Sequence, residues 1–238
     1  MPFGFDSLLT LSNAEVTAIW LSLRVASVAA LFSLPFGVAI AYLLARKDFP
    51  GKLALNAAVH LPLVLPPVVT GWLLLIGFGR HGMFGRALED CCGIVFAFRW
   101  TGAALAAAVM GFPLMVRAIR LSFELIDGKL EEAARTLGAP DWYIFATVTL
   151  PLATPGLIAG LILGFAKSIG EFGATITFVA NIPGQTQTIA SAIYTSTQDP
   201  DGAATTWRLT AVAVAIAVVA LIVSEILAAR LTPKGRGK

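Results

Sequence analysis

The sequence predicts an all-α, polytopic membrane protein with about five transmembrane helices. Only 13% of the 238 residues are charged and 57% are hydrophobic, whereas charged residues make up about a quarter of a typical soluble domain. The hydrophobic residues gather in runs of about 20, the length that a helix needs to cross a bilayer. Basic residues lie at the ends of these runs, so the formal charge of +3 does not indicate nucleic-acid binding.

We predict a single transmembrane domain over residues 1–238. Residues 1–15 lack the basic start of a cleavable signal, so we expect the first span itself to direct insertion. The predicted spans are 16–45, 53–78, 101–124, 152–180 and 207–231.

Prolines interrupt the first three predicted spans. The first contains Pro35, the third contains Pro113, and the second contains the stretch HLPLVLPPVVTG. Proline removes a backbone donor and kinks a helix, and membrane helices tolerate this where neighbours or a watered cavity satisfy the freed carbonyls. A bent packing helix and a helix that lines a pathway both explain the second span at this point.

The distribution of Lys and Arg predicts the orientation, because short cytoplasmic loops are enriched in these residues. The loops and tail on one side hold eleven of the seventeen, and those on the other side hold four: Arg80, Arg86, Arg99 and Arg208. We therefore expect the N-terminus outside and the C-terminus in the cytoplasm. The group of eleven is Arg46, Lys47, Lys52, Arg117, Arg120, Lys129, Arg135, Arg230, Lys234, Arg236 and Lys238.

The fourth predicted span carries small residues at four-residue intervals, namely Gly156, Gly160, Gly164 and Ser168. This spacing places four small side chains on one helix face, where another backbone can approach closely. The pattern predicts tight helix packing, either within the chain or against a second copy.

A polar segment at residues 127–150 separates two of the apolar spans. Asp127 is a good helix N-cap, and Glu131 and Glu132 lie in the early turns, where negative charge suits the helix dipole. Gly138 suits a left-handed helix end, and Pro140 suits the first turn of a following helix. The residues alone therefore predict a helical hairpin, which a well-capped surface loop would also explain.

The spacing within this segment resembles the EAA signature of ABC importer permeases. Glu132-Ala133-Ala134, three residues, Gly138, nine residues, Val148, one residue and Leu150-Pro151 match it at every fixed position, except that Val148 replaces the usual Ile. The resemblance implies a type I ABC importer permease fold. It also implies that the segment is a cytoplasmic coupling helix docking on an ATPase. The implied ATPase-coupling residues are Glu131, Glu132, Ala133, Ala134 and Gly138.

Other stretches narrow the resemblance to the permease subunits of bacterial molybdate transporters. These are HLPLVLPPVVTGWLLL, MGFPLMVRAIRLSFE and GEFGATITFVANIPGQTQTIASAIY, and with the signature they cover nearly all of residues 16–231. Tungstate and sulfate permeases share the architecture and remain alternatives. The implied partners are two cytoplasmic ATPase subunits, a second copy of the chain and a periplasmic oxyanion-binding protein, in the bacterial inner membrane.

The chain has no P-loop of its own. Gly-Lys is followed by leucine at 51–52 and 128–129 and occurs again at 237–238, whereas a P-loop needs Ser or Thr after the lysine. We therefore expect a transport subunit that is not an enzyme. Cys91 and Cys92 are adjacent, which favours two free thiols over a disulfide or a metal site. No cofactor is expected.

Lys167 and Glu171 are four residues apart in the fourth predicted span, hence on one face. A lone ion near the bilayer centre costs about 2.5 to 3.5 kcal/mol on insertion scales, so the two should face each other or line water. Two interpretations stay open. One is a structural ion pair, and the other is a translocation pathway for an oxyanion, lined by Lys167, Ser168, Glu171, Thr175 and Thr177. A proton-coupled secondary transporter with Glu171 as relay is the rival from another class, although it offers no role for EEAARTLGA.

Overall fold

The computed structural model describes residues 10–231, and the described chain is built from helices. Four of them are long and apolar enough to cross a membrane, and a bent helix pair is a fifth candidate. The predicted all-α, polytopic fold is therefore confirmed. The tail residues Lys234, Arg236 and Lys238, which contributed to the predicted orientation, lie outside the described range.

The helices follow one another closely. In chain order they are α1 (Asn13–Arg46), α2 (Lys52–Val64), α3 (Pro67–Phe78), α4 (Met83–Cys92), α5 (Trp100–Glu124), α6 (Gly128–Thr136), α7 (Asp141–Ile144), a π-helical turn (Phe145–Thr149), α8 (Leu150–Ile169), α9 (Gly173–Val179), α10 (Ile189–Thr197) and α11 (Ala203–Leu231).

The centre of the bundle is α5, which packs against α1, α8 and α9. Towards its C-terminal end, Met115, Val116, Ile119 and Phe123 are fully or almost fully buried and form one cluster with α1 and α8. Lipid tails are as apolar as these side chains, so close packing rather than exclusion from water holds such a bundle together.

The small-residue face of α8 packs against α5 of the same chain. A Cβ added at Gly160 would lie 2.8 Å from Ile119 Cγ1 and 3.0 Å from the Met115 carbonyl oxygen. Ser168 donates to the Ala107 carbonyl at 3.3 Å, also on α5. The predicted tight contact is confirmed, and the partner helix is in the same chain.

The second predicted span is sharply broken. α2 and α3 are bent by 116° relative to each other. Leu65, which precedes Pro66, has ψ 143°, and Pro66, which precedes Pro67, has ψ 134°. A residue before proline is pushed out of the helical region, so two consecutive prolines impose two consecutive extended residues. Pro35 and Pro113, in contrast, lie inside continuous helices.

The fourth predicted span, 152–180, is wrong as a single helix. The helix ends at Ile169, and α9 begins only at Gly173. Phe172, between them, has φ −132° and ψ −53°, and the Glu171 carboxylate accepts a hydrogen bond from the Ala174 N–H at 2.9 Å. A side chain thus caps the second helix at the interruption, as capping groups do at helix starts.

Candidate functional site

The hairpin, residues 127–150, has the local structure that its sequence predicts. The Asp127 side chain accepts from the Lys129 N–H at 3.0 Å and caps α6. Gly138 has φ +84° and ends the helix in the left-handed conformation. Pro140 is the N-cap of α7. The guanidinium of Arg135 donates twice to Asp141 Oδ1, at 3.0 and 3.1 Å, and so bridges the two helices across the turn.

One face of the hairpin is uncovered. Glu132, Ala133 and Gly138 are exposed, and Ala134 is partly exposed. Large apolar side chains accompany them: Leu137 is 88% exposed and Trp142 is 72% exposed. Exposed apolar groups mixed with charges on a compact projecting element are typical of a protein-docking surface.

Glu131 differs from its neighbours, because its side chain turns back onto its own chain. Its Oε1 lies 3.5 Å from Arg46 Nη2 at the end of α1. The same oxygen accepts from the Thr149 hydroxyl at 2.8 Å. Sequence reasoning grouped Glu131 with the docking residues and missed both partners, since Arg46 lies in a distant helix and looked like an ordinary basic residue at the end of a span.

Lys167 and Glu171 meet, as their spacing predicts. Lys167 Nζ lies 3.4 Å from Glu171 Oε2, with the carboxylate side chain 2% exposed and the lysine side chain 32% exposed. The pair therefore bridges the interruption between α8 and α9. A buried carboxylate with a lysine and a backbone N–H as partners is the arrangement that burial of a charge requires.

Of the three hydroxyl residues of the predicted pathway, two donate hydrogen bonds to backbone carbonyls and the third is buried. Ser168 and Thr175 are buried, at 6% and 3% exposure. The Ser168 hydroxyl also donates to the Gly164 carbonyl at 2.8 Å, and the Thr177 hydroxyl donates to the Gly173 carbonyl at 2.8 Å. These hydrogen bonds favour a packing role for Ser168 and Thr177 in the described conformation, and burial favours the same for Thr175.

The two interrupted helices meet next to their interruptions. A Cβ added at Gly71 of α3 would lie 2.5 Å from the Ala174 carbonyl oxygen of α9, and one added at Gly173 would lie 2.8 Å from Pro67 Cβ. At Gly71 backbone therefore lies against backbone, and at Gly173 it lies against the Pro67 ring, so both contacts need glycine. Both glycines were visible in the sequence, but the meeting of the two breaks was not predicted.

Comparison with known proteins agrees with this architecture. Residues 33–236 match the family model described as "Binding-protein-dependent transport system inner membrane component". The chain belongs to this family. It is a multi-pass inner membrane component, and the described residues include four helices long and apolar enough to cross a membrane.

Two curated relatives of this inner membrane component span almost the whole chain. Both are named Molybdenum transport system permease protein ModB. The protein from Escherichia coli K12 is 59% identical over 218 residues, covering 92% of this chain and 95% of its own. The protein from Haemophilus influenzae is 54% identical over 224 residues, covering 94% and 98%.

A solved structure shares the fold of the inner membrane component. It is a bacterial ABC transporter involved in the import of the acidic polysaccharide alginate. The TM-score is 0.72 at 19% identity, covering 99% of this chain and 85% of the solved one. The likeness confirms the predicted type I ABC importer permease fold.

Proposed function

We propose that this chain is the membrane-spanning permease subunit of an ATP-driven importer of molybdate. The observation that carries the proposal is the 59% identity, over nearly the full length of both chains, to a permease named for molybdenum transport. The uncovered hairpin with EEAARTLGA supports an ATP-driven mechanism, since it offers a surface on which a separate ATPase can dock.

The permease does no covalent chemistry in this proposal. ATP is hydrolysed by two cytoplasmic ATPase subunits, each docked on the hairpin of one permease copy through Glu132, Ala133, Ala134 and Gly138. Two copies of the chain form the membrane unit, and a periplasmic binding protein delivers the oxyanion. The exposed apolar faces of α2 and α3, where Val64 is 82% exposed and Trp72 is 54% exposed, are available to a second copy or to lipid.

The proposed pathway passes the junction of the two interrupted helices, with Lys167, Ser168, Glu171, Thr175 and Thr177 at its border. Interrupted helices at membrane depth are tolerated where they are buried in protein or line a watered cavity. Lys167 is the cation of this group, and its side chain stays partly exposed. A paired lysine attracts an oxyanion less strongly than a free one, so the ion can also leave.

Transport itself is the first test. Proteoliposomes containing the permease, its ATPase and its binding protein should take up molybdate only when ATP is supplied. A matched preparation with an ATPase variant lacking the P-loop lysine should show none. Uptake that ignores ATP and follows an imposed proton gradient would replace the proposal with a secondary transporter. Binding-protein-dependent uptake of sulfate alone would change the cargo.

Orientation is a separate proposal: the hairpin faces the cytoplasm, and α4, which ends with Cys91 and Cys92, faces the periplasm. The structure joins Arg46 to the hairpin at one end of the bundle and Glu15 to Arg208 at the other, with 2.8 Å between Arg208 Nη2 and Glu15 Oε1. The basic residues of the sequence then indicate which end is inside.

Native thiols make the orientation measurable. Cys91 and Cys92 are exposed, so an impermeant maleimide should label them in right-side-out vesicles. A cysteine at the exposed Lys129, in a Cys91→Ala/Cys92→Ala background, should react only after permeabilisation. The hydrogen bond between the two thiols raises the pKa of the Cys91 thiol, so mildly alkaline buffer is needed for the thiolate to react. The reverse labelling pattern would invert the topology.

A further inference from the structure

The end of α1 is connected to the hairpin through a single carboxylate oxygen. Glu131 Oε1 lies 3.5 Å from Arg46 Nη2 and 2.8 Å from the Thr149 hydroxyl. Arg46 Nη2 also donates to the Ile126 carbonyl, in the turn between α5 and α6, at 3.0 Å. This polar group, Arg46, Glu131 and Thr149, therefore joins the ends of α1, α6 and the π-helical turn. We refer to it as the latch.

The latch is shielded from water. The side chain of Glu131 is 15% exposed and that of Arg46 is 19% exposed, while Thr149 is 1% exposed. Arg46 Nε is buried and has no hydrogen-bond partner within residues 10–231. The guanidinium is thus held inward although one of its N–H groups stays unpaired, which indicates that its contacts with Glu131 and Ile126 determine its position.

An aromatic layer lies one helical turn deeper and joins α1 and the π-helical turn to α5. The Tyr42 ring lies 5.5 Å from that of Phe123 on α5 and 4.9 Å from that of Phe145 in the π-helical turn, between ring centroids. Edge-on aromatic pairs of this kind stabilise a contact without needing charge. The layer keeps α1, α5 and the π-helical turn together, so the latch is not needed to hold the fold.

The π-helical turn, Phe145–Thr149, is the last part of the hairpin and leads directly into the membrane helix α8. Such turns are rare, occur mostly as single insertions in α-helices, and are frequent at functional sites. The last residue of the turn is Thr149, the latch member that donates to Glu131. The latch thus fixes the hairpin to α1 at the place where the hairpin enters α8.

We propose that the latch makes α1 move together with the hairpin, so that Arg46, Glu131 and Thr149 are positioning residues for energy coupling. This inference rests on the proposed function, because it assumes that an ATPase moves the hairpin. It assigns to Glu131 a role distinct from that of its neighbours: Glu132 and Ala133 face the ATPase, whereas Glu131 conveys the movement to the first membrane helix.

The test uses the reconstituted transporter and measures molybdate taken up per ATP hydrolysed. Glu131→Gln and Arg46→Met should each lower this ratio by roughly five-fold or more, the lower end of typical coupling between sites. The double variant should be no worse than either single one, because partners in one interaction are not additive. The uptake ratio of Arg46→Lys should lie between those of the unmodified transporter and Arg46→Met. An ammonium keeps the charge but cannot bind Glu131 and the Ile126 carbonyl with the geometry of a guanidinium.

The matched control is Glu124→Gln, which removes a carboxylate from the surface pair with Arg120, 2.7 Å apart, at the last turn of α5. It should leave the ratio unchanged. ATPase co-purification should also stay normal in every latch variant, because the latch does not face the ATPase.

Three results would overturn the proposed role of the latch. They are an unchanged uptake ratio in the single variants, additive losses in the double variant, or loss of ATPase co-purification in Glu131→Gln. The last result would make Glu131 a docking residue. None of these is the failure of the proposed function, which would appear as uptake independent of ATP in the unmodified transporter.

Discussion

Gly138→Val is expected to leave the permease folded in the membrane and to abolish most of its ATP-driven uptake. Gly138 has φ +84°, and a Cβ added there would meet nothing within 4 Å. The substitution therefore acts through the backbone alone. The left-handed conformation costs an L-residue about 1–2 kcal/mol, and more for a β-branched residue. Each 1.4 kcal/mol is a ten-fold change in an equilibrium constant, so the docking conformation should become at least about ten-fold rarer.

A series of substitutions at Gly138 distinguishes backbone strain at its positive φ from the effect of side-chain size. Asn tolerates the left-handed region better than Ala, and Ala better than Val, so uptake should fall in the order Gly138→Asn, Gly138→Ala, Gly138→Val. The matched control is Gly128→Val, at the start of α6. Its added Cβ also meets nothing within 4 Å, but its φ is not positive. This variant should dock the ATPase normally.

The measurements are uptake of labelled molybdate, co-purification of the ATPase, and its stimulated hydrolysis in vesicles. Folded yield should stay near that of the unmodified permease, because the exposed turn contributes nothing to the packing of the membrane helices. Normal ATPase binding and uptake in Gly138→Val would show that the hairpin is only a well-capped loop. Equal losses in Gly128→Val would show that bulk rather than strain matters.

Local features of the hairpin could be predicted from the sequence, because they depend on neighbouring residues. The Asp127 cap and the left-handed Gly138 each follow from the conformational preferences of one residue type. The small-residue face of α8 could be predicted for the same reason, since helical spacing alone brings Gly156, Gly160 and Gly164 into line.

Features that depend on distant contacts could not be predicted. Residues 152–180 are mostly apolar, and hydropathy does not register a backbone break. Prolines predicted a kink in the second span, but the 116° bend also places Gly71 against α9. The inward turn of Glu131 depends on Arg46, 85 residues earlier in the chain, and the sequence carries no sign of that pairing.

The ion pair at the break between α8 and α9 predicts the second large effect. Lys167→Met should destabilise the protein more than Glu171→Gln does. Removing the lysine leaves a carboxylate that is 2% exposed, whose remaining partner among the described residues is the Ala174 N–H. Breaking a buried pair in this way costs about 3–5 kcal/mol. Removing the negative charge instead leaves a lysine that can still reach water, and a glutamine oxygen can accept from the same N–H. Glu171→Gln should therefore cost less.

The chain offers a close control for this asymmetry. Lys52 and Asp48 also form an i, i+4 pair, at 2.9 Å, and the Lys52 side chain is 32% exposed, the same fraction as that of Lys167. The carboxylates differ, since the Asp48 side chain is 99% exposed. Lys52→Met should then leave the free energy of unfolding almost unchanged, as is usual for exposed surface pairs. Thermal unfolding in detergent measures the stability change of Lys167→Met and of Lys52→Met.

The double variant Lys167→Met/Glu171→Gln distinguishes the two roles that the sequence left open. It removes both charges, so its stability should recover to about that of Glu171→Gln, while strictly additive losses would show that the side chains are not coupled. Molybdate uptake per folded molecule then distinguishes a structural ion pair from a pair that borders the oxyanion pathway. A purely structural pair predicts normal uptake once the protein folds. A pair at the border of the oxyanion pathway predicts reduced uptake in the stable double variant, because Lys167 no longer offers its partly exposed ammonium to the passing anion.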